Sequence, residues 1–209
     1  MFEFDTILNA FFTLLVTIDP IGLVPIFIGV TVGMTSSERL SVALRSCSIA
    51  FGLLVLFLLA GQVILDTLGI TIHAFRVAGG LLLFYIAFEM VFGVRQERKE
   101  EASKAAITKD HIANIAVFPL ALPMIAGPGA ISATILLSTQ FDAAWEWRGI
   151  LILIIGFVIG LVILAFIASE LLNKYLGNTG RMILTRLLGV LLAALSVQFV
   201  VDGVKALVV

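Results

Sequence analysis

Six stretches of this chain, roughly residues 7 to 32, 46 to 65, 74 to 93, 114 to 137, 149 to 169 and 183 to 204, are apolar over a helix-spanning length. A transmembrane helix needs about 20 mostly apolar residues, and these stretches consume nearly the whole sequence. The composition agrees: 61% of residues are hydrophobic, 13% are charged and the mean hydropathy is +1.17, where a soluble domain carries about 25% charged residues. The expected fold is an all-α integral membrane protein of about six transmembrane helices. The connections are too short for a separate soluble core, so residues 1–209 read as one transmembrane domain and not as a soluble enzyme.

The start, Met1-Phe2-Glu3-Phe4-Asp5, is acidic and lacks the basic region of a signal peptide, so the first span is expected to be retained. Cys47 is the sole cysteine, which excludes an internal disulfide and every multi-cysteine metal site. His73 and His111 have no second imidazole at metal-ligand spacing, and no phosphate loop or nucleophile elbow is present. No cofactor or metal is therefore expected. A net charge of -1 gives no sign of nucleic-acid binding.

With both termini on one face, ten cations fall on the opposite face, among them Arg39, Arg45, Arg95, Arg98, Lys99, Lys174 and Arg181, against only Arg76, Arg148 and Lys205 on the termini's own. The positive-inside rule then puts both termini outside and the 94–113 linker, with its Glu100 and Lys104 pair, in the cytoplasm.

Shifted by 108 positions, Pro20 falls on Pro128, Gly52 on Gly160 and Leu68-Gly69 on Leu176-Gly177; shifted by 110, Arg76, Gly79 and Gly93 fall on Arg186, Gly189 and Gly203. The order of these matches divides the chain into two halves of three spans, residues 1–93 and 114–209. Three is odd, so the second half must enter the membrane from the opposite face, the inverted-repeat construction of many secondary transporters.

Both halves are interrupted at corresponding depth. In Thr17-Ile18-Asp19-Pro20-Ile21-Gly22-Leu23-Val24-Pro25, Asp19 lies about 18 Å into the span at 1.5 Å per residue. Asp19 reads as the N-cap and Pro20 as the first residue of a new half-helix. The fourth span repeats the device with Pro119, Pro123 and Ala126-Gly127-Pro128-Gly129. Irregular backbone survives in a membrane only where protein or a wet cavity surrounds it. Half-helix N-termini suit a carboxylate, and half-helix carbonyls with Asp19 suit an ammonium group or a coupling cation. The two together suit a zwitterion such as an amino acid. The candidate substrate or ion site is Asp19, Pro20, Gly22, Pro25, Pro123, Gly127, Pro128 and Gly129. An aspartate at mid-span costs roughly 2.5 to 3.5 kcal/mol on insertion scales, which favours a working role over simple capping.

Other residues have plainer readings. Glu89, near the end of the third span, is expected in the solvated interface, and Gln198 to hydrogen-bond between helices. Gly29-x-x-x-Gly33 and Gly156-x-x-x-Gly160 have the spacing of close helix contacts, Trp145 and Trp147 that of an interfacial belt, and Ser36 and Ser37 read as helix caps.

At Asp19 to Phe27, and again at Pro119 to Ala130, the chain resembles the MarC family, and the likeness extends over nearly its full length to the closing Gln198-Phe199-Val200-Val201-Asp202-Gly203. That family, historically named for multiple antibiotic resistance, contains the SnatA-type transporters of small neutral amino acids such as glycine and alanine. The resemblance implies a bacterial or archaeal cytoplasmic membrane, six spans, a small neutral amino acid as substrate, and coupling to a proton or sodium gradient. Leu23 stands where many members carry asparagine, which removes one amide from the break. The expected mechanism is alternating access of one three-helix repeat against the other. The competing readings are a scaffold or sensor that transports nothing, and an exporter or passive channel for similar solutes.

Overall fold

A computed structural model describes residues 4–32, 34–94, 116–139 and 145–208. The helices are α1 (Phe4–Ile18), α2 (Pro20–Val30), α3 (Ser36–Thr67), α4 (Ile72–Phe92), an irregularly wound α5 (Ala116–Ile125), α6 (Pro128–Ser138), α7 (Trp145–Ile167) and α8 (Ser169–Val208). Five are long and apolar enough to cross a membrane, with α1 and α2 counted together, and α5 with α6 makes a sixth, bent by 55°. The start of α1, the α3–α4 turn and the end of α8 fall on one face, here called the termini face; the α2–α3 turn and the α7–α8 junction fall on the other. The 94–113 linker beyond Val94, with Glu100, Lys104 and His111, lies outside the described residues, as does Gly33.

The interrupted elements occupy the middle. Nearly every residue of α6 is buried, as is most of α2. Around them stand α3, α4, α7 and α8, whose outward faces leave large apolar side chains such as Leu153, Phe157 and Leu187 uncovered, as a lipid solvent allows. Hydroxyls inside the bundle are returned to their own helices. Thr17 donates to the Thr13 carbonyl at 2.6 Å, Thr134 to Ala130 at 2.7 Å and Ser138 to Ile135 at 2.8 Å, which satisfies each group where no water can.

The tightest helix contact joins α4 to α8, which run antiparallel. A β-carbon at Gly80 would lie 3.0 Å from the Ser196 carbonyl, one at Gly189 3.1 Å from the Ala87 carbonyl, and one at Gly203 3.0 Å from the His73 carbonyl. Only glycine lets the two backbones approach so closely. The glycine spacing chosen from sequence fares differently: Gly160 has open space beside it and Gly156 only a Phe51 contact at 3.7 Å. Within α8, Gly177 takes φ 56° and ψ -173°, a conformation essentially closed to other residues, so the 169–176 portion is set apart from the remainder of the helix.

Several ends differ from expectation. α3 starts ten residues before its apolar run, capped by Thr35 rather than by Ser36 or Ser37. Thr35 Oγ1 accepts from Glu38 N at 3.4 Å and the Thr35 N–H donates to Glu38 Oε2 at 2.7 Å, a capping box. Trp145 is exposed, as a belt residue would be. Trp147 instead is fully buried and donates its Nε1–H to the Leu137 carbonyl at 2.7 Å, tying α7 to the end of α6. Gln198 bonds Asp202 of its own helix at 2.8 Å and bridges no helices in that contact. Glu89 is buried, at 2% exposure, and not in the solvated interface: it lies on the covered side of α4, beside Met90 and Ala87, while Phe88 and Phe92 face outward.

Candidate functional site

The first interruption is one residue wide. Asp19 adopts φ 59° and ψ 68°, the left-handed conformation, which aspartate tolerates better than most side chains. Its carboxylate turns back over the start of α2, where Oδ1 accepts the Gly22 N–H at 3.0 Å. The helix line survives the kink, since Asp19 N donates to Leu15 at 2.9 Å and Leu23 N to Asp19 at 3.2 Å. Between these bonds the ladder is short of donors. Pro20 has no N–H to offer the Val16 carbonyl, and the Gly22 N–H is taken by Asp19. Asp19 itself is 1% exposed. Pro25 lies a turn further on, inside α2, and denies the Ile21 carbonyl its donor in the same way.

Gly22 is required by the carboxylate and not by its own backbone. A β-carbon there would overlap the Asp19 carboxylate. Gly22→Ala is expected to displace the cap and lower stability by about 2 kcal/mol, read as a fall in melting temperature in detergent; an unchanged melt would show that the carboxylate can move aside.

The second interruption is wider. Phe118 and Leu122 are extended, as residues before proline prefer to be, and the Phe118–Pro119 and Leu122–Pro123 peptide bonds are cis. The chain then turns so tightly that a β-carbon at Gly127 would lie 2.5 Å from the Pro123 carbonyl. Gly127 is the N-cap of α6, Pro128 its first residue, and no side chain caps this end. Ile131 N closes the first helical bond, to the Gly127 carbonyl at 3.0 Å.

The two interruptions meet. A β-carbon at Gly129 would overlap Ile86 Cδ1 of α4 and lie 3.3 Å from Thr17 Cγ2 of α1. The sequence candidates thus form two groups, Asp19, Pro20 and Gly22 on one side and Pro123, Gly127, Pro128 and Gly129 on the other, joined through Thr17. Pro25 shapes α2 from outside this contact. Sequence reasoning missed Thr17 and Ile86 as the joining residues. Thr17 stood in the quoted motif two positions before Asp19; nothing local marked Ile86, which arrives from another helix.

The two helix starts are chemically unlike. α2 carries its own carboxylate over its N–H groups, whereas α6 presents buried Gly129 and Ala130 with only glycine as cap. One end supplies a carboxylate, the other a positive dipole end suited to an anion. Among the described residues, no three His, Cys, Asp or Glu side chains gather as metal ligands.

The family model described as "MarC family integral membrane protein" matches residues 4–208. The chain belongs to the MarC family. Curated relatives match over nearly the whole chain: a "UPF0056 membrane protein" of Buchnera aphidicola is 38% identical over 209 residues, covering 99% of this chain and 95% of the relative. Another from Aquifex aeolicus is 36% identical over 210 residues, covering 99% and 96%. An archaeal relative from Archaeoglobus fulgidus is 37% identical over 195 residues, covering 93% and 90%. No solved structure matches. Membership makes this chain a multi-pass integral membrane protein, with relatives in bacteria and archaea.

Proposed function

We propose that this MarC family member is a secondary transporter of small neutral amino acids across the cytoplasmic membrane, coupled to a proton or sodium gradient. The observation that carries the reading is the closeness of two unlike interruptions: the uncapped N-terminus of α6 packs on Thr17, two residues before the buried Asp19. In this reading the substrate carboxylate takes the N–H groups at Gly129 and Ala130, and its ammonium group, or a coupling cation, takes Asp19. Thr17 and Ile86 pack against Gly129, and the preference for glycine and alanine is the one that the family resemblance implies.

The two halves are inverted repeats, with both termini outside and the 94–113 linker in the cytoplasm, in keeping with the distribution of cations. The reciprocal approach of Gly80 to the Ser196 and Val200 region and of Gly189 to Ala87 and Met90 supports this pairing.

A thermal-shift panel of the twenty amino acids, with and without sodium, tests the reading. A ligand at a hundred times its Kd stabilises the bound form by about 2.7 kcal/mol, so glycine or alanine is expected to raise the melting temperature clearly while large and charged amino acids do not. A flat panel would favour a scaffold. Counterflow against a preloaded amino acid then separates a carrier, which exchanges, from a pore, which only equilibrates.

A further inference from the structure

Between the paired interruptions and the face opposite the termini lie two contacts, each linking the two halves of the chain. Phe27 lies seven residues beyond Pro20, about 10 Å along α2 from the Asp19 kink. Its ring stacks on Phe166, near the end of α7, with centroids 4.2 Å apart and planes 6° from parallel. Both rings are buried, at 2% and 1% exposure. On the far side of the stack lies a hollow of about 290 Å³, lined by the two rings and by Ser36, Arg39, Ser169 and Glu170. Arg39 of α3 meets Glu170 of α8 at 2.5 Å, and its Nε donates to the Thr31 carbonyl at the end of α2 at 3.4 Å. The floor of the hollow is therefore aromatic, and its rim is charged.

We propose that Phe27 and Phe166, with the Arg39–Glu170 ion pair at the rim, are the closed gate between the Asp19 interruption and the face opposite the termini. The inference rests on the transporter reading and assigns the residues that control access to its site. The position of the stack sets it apart from ordinary core packing. It ends a hollow open to solution, and it stands on the half-helix whose other end is the Asp19 kink. The two layers have different tasks. Stacked, buried rings offer no polar partner to water or ions. The rim pair, with the Glu170 side chain 81% exposed, holds weakly because water competes for it, and so can release without a large barrier. Because Glu170 sits on the portion of α8 before Gly177, that glycine lets the rim move apart from the rest of the helix.

The test is thiol accessibility in intact protein. Cys47, the sole cysteine, is replaced by alanine, and Thr17→Cys places a reporter at the meeting point. Membrane vesicles of both orientations are treated with a charged, impermeant methanethiosulfonate. With the gate intact, Cys labelling from the Arg39 face is slow. Phe27→Ala and Phe166→Ala are each expected to speed it about tenfold from that face, and not from the other. Equal rates in variants that elute and melt as folded protein would overturn the proposal. Glu170→Lys guards against misfolding, since it alters only the exposed rim: faster labelling, returned toward the parent rate by adding Arg39→Glu, supports the latch, and an unchanged rate for Glu170→Lys refutes it. The thiol readout needs no substrate. A gate that opens in a protein no amino acid stabilises would sink the transporter reading alone, and a stabilised protein indifferent to Phe27 and Phe166 would sink the gate alone.

Discussion

Asp19→Asn is expected to abolish gradient-driven uptake of neutral amino acids in proteoliposomes while the protein inserts and melts almost as the parent does. The structure makes this substitution unusually clean. Asparagine caps helices as well as aspartate does, tolerates the left-handed conformation that Asp19 holds, and keeps an oxygen for the Gly22 N–H. What it removes is the ionisable carboxyl. A hydrogen bond to a charged group contributes about 1.5 to 3 kcal/mol, so loss of the ammonium or cation partner should weaken uptake by one to two orders of magnitude at least. Asp19→Ala would be less informative. It removes the cap, at about 1 kcal/mol, and puts a β-carbon without a compensating polar group into left-handed backbone at about 1 to 2 kcal/mol more. Undiminished uptake by the asparagine variant would take Asp19 out of the mechanism and leave it as a cap.

Gly127→Ala is expected to cost about 3 kcal/mol of stability and to erase amino-acid stabilisation. The φ of Gly127 is an ordinary -78°, so the backbone itself would accept alanine. The obstacle is the Pro123 carbonyl, 2.5 Å from where the new carbon would stand. That oxygen cannot swing away as a side-chain tip can. It belongs to backbone held by the proline ring and by the Ala126 to Ala121 hydrogen bond of 2.9 Å. The turn must open, and the start of α6 moves with it. Gly160→Ala, beside open space, is the control and should change the melt by less than about 1 kcal/mol. If the two variants melt alike, the tight turn before α6 is not the constraint described.

Proline and glycine announce themselves in sequence because their effect is local. Pro20 removes a donor and Asp19 caps the half-helix that begins there, whatever surrounds them, and the same local logic marks Gly127 and Pro128. The start of α3 was legible only to within a residue or two, since Ser36 and Ser37 read as caps where Thr35 and Glu38 form the box, and the polar turns after it masked a helix that begins ten residues before the apolar window. What sequence could not supply was the partner across a contact. Spacing says that Gly156 and Gly160 share a face, not that this face meets open space while Gly80, Gly189 and Gly203 meet backbone. Trp145 and Trp147 look alike in sequence. Two residues of helix turn one toward the outside and the other onto Leu137. Glu89 is covered by elements far from it in the chain, and Ile86 reaches Gly129 for the same reason.

The glycine seam between α4 and α8 decides where this protein can flex. Contacts made by backbone have no rotamers to exchange, so the two helices cannot creep past each other; a new register would require a jump of a full turn, about 5.4 Å. Yet one of the pair comes from each half of the chain. A frame built from both halves weighs against one three-helix repeat moving as a rigid unit against the other, and points to the shorter, interrupted pieces as the parts freer to shift.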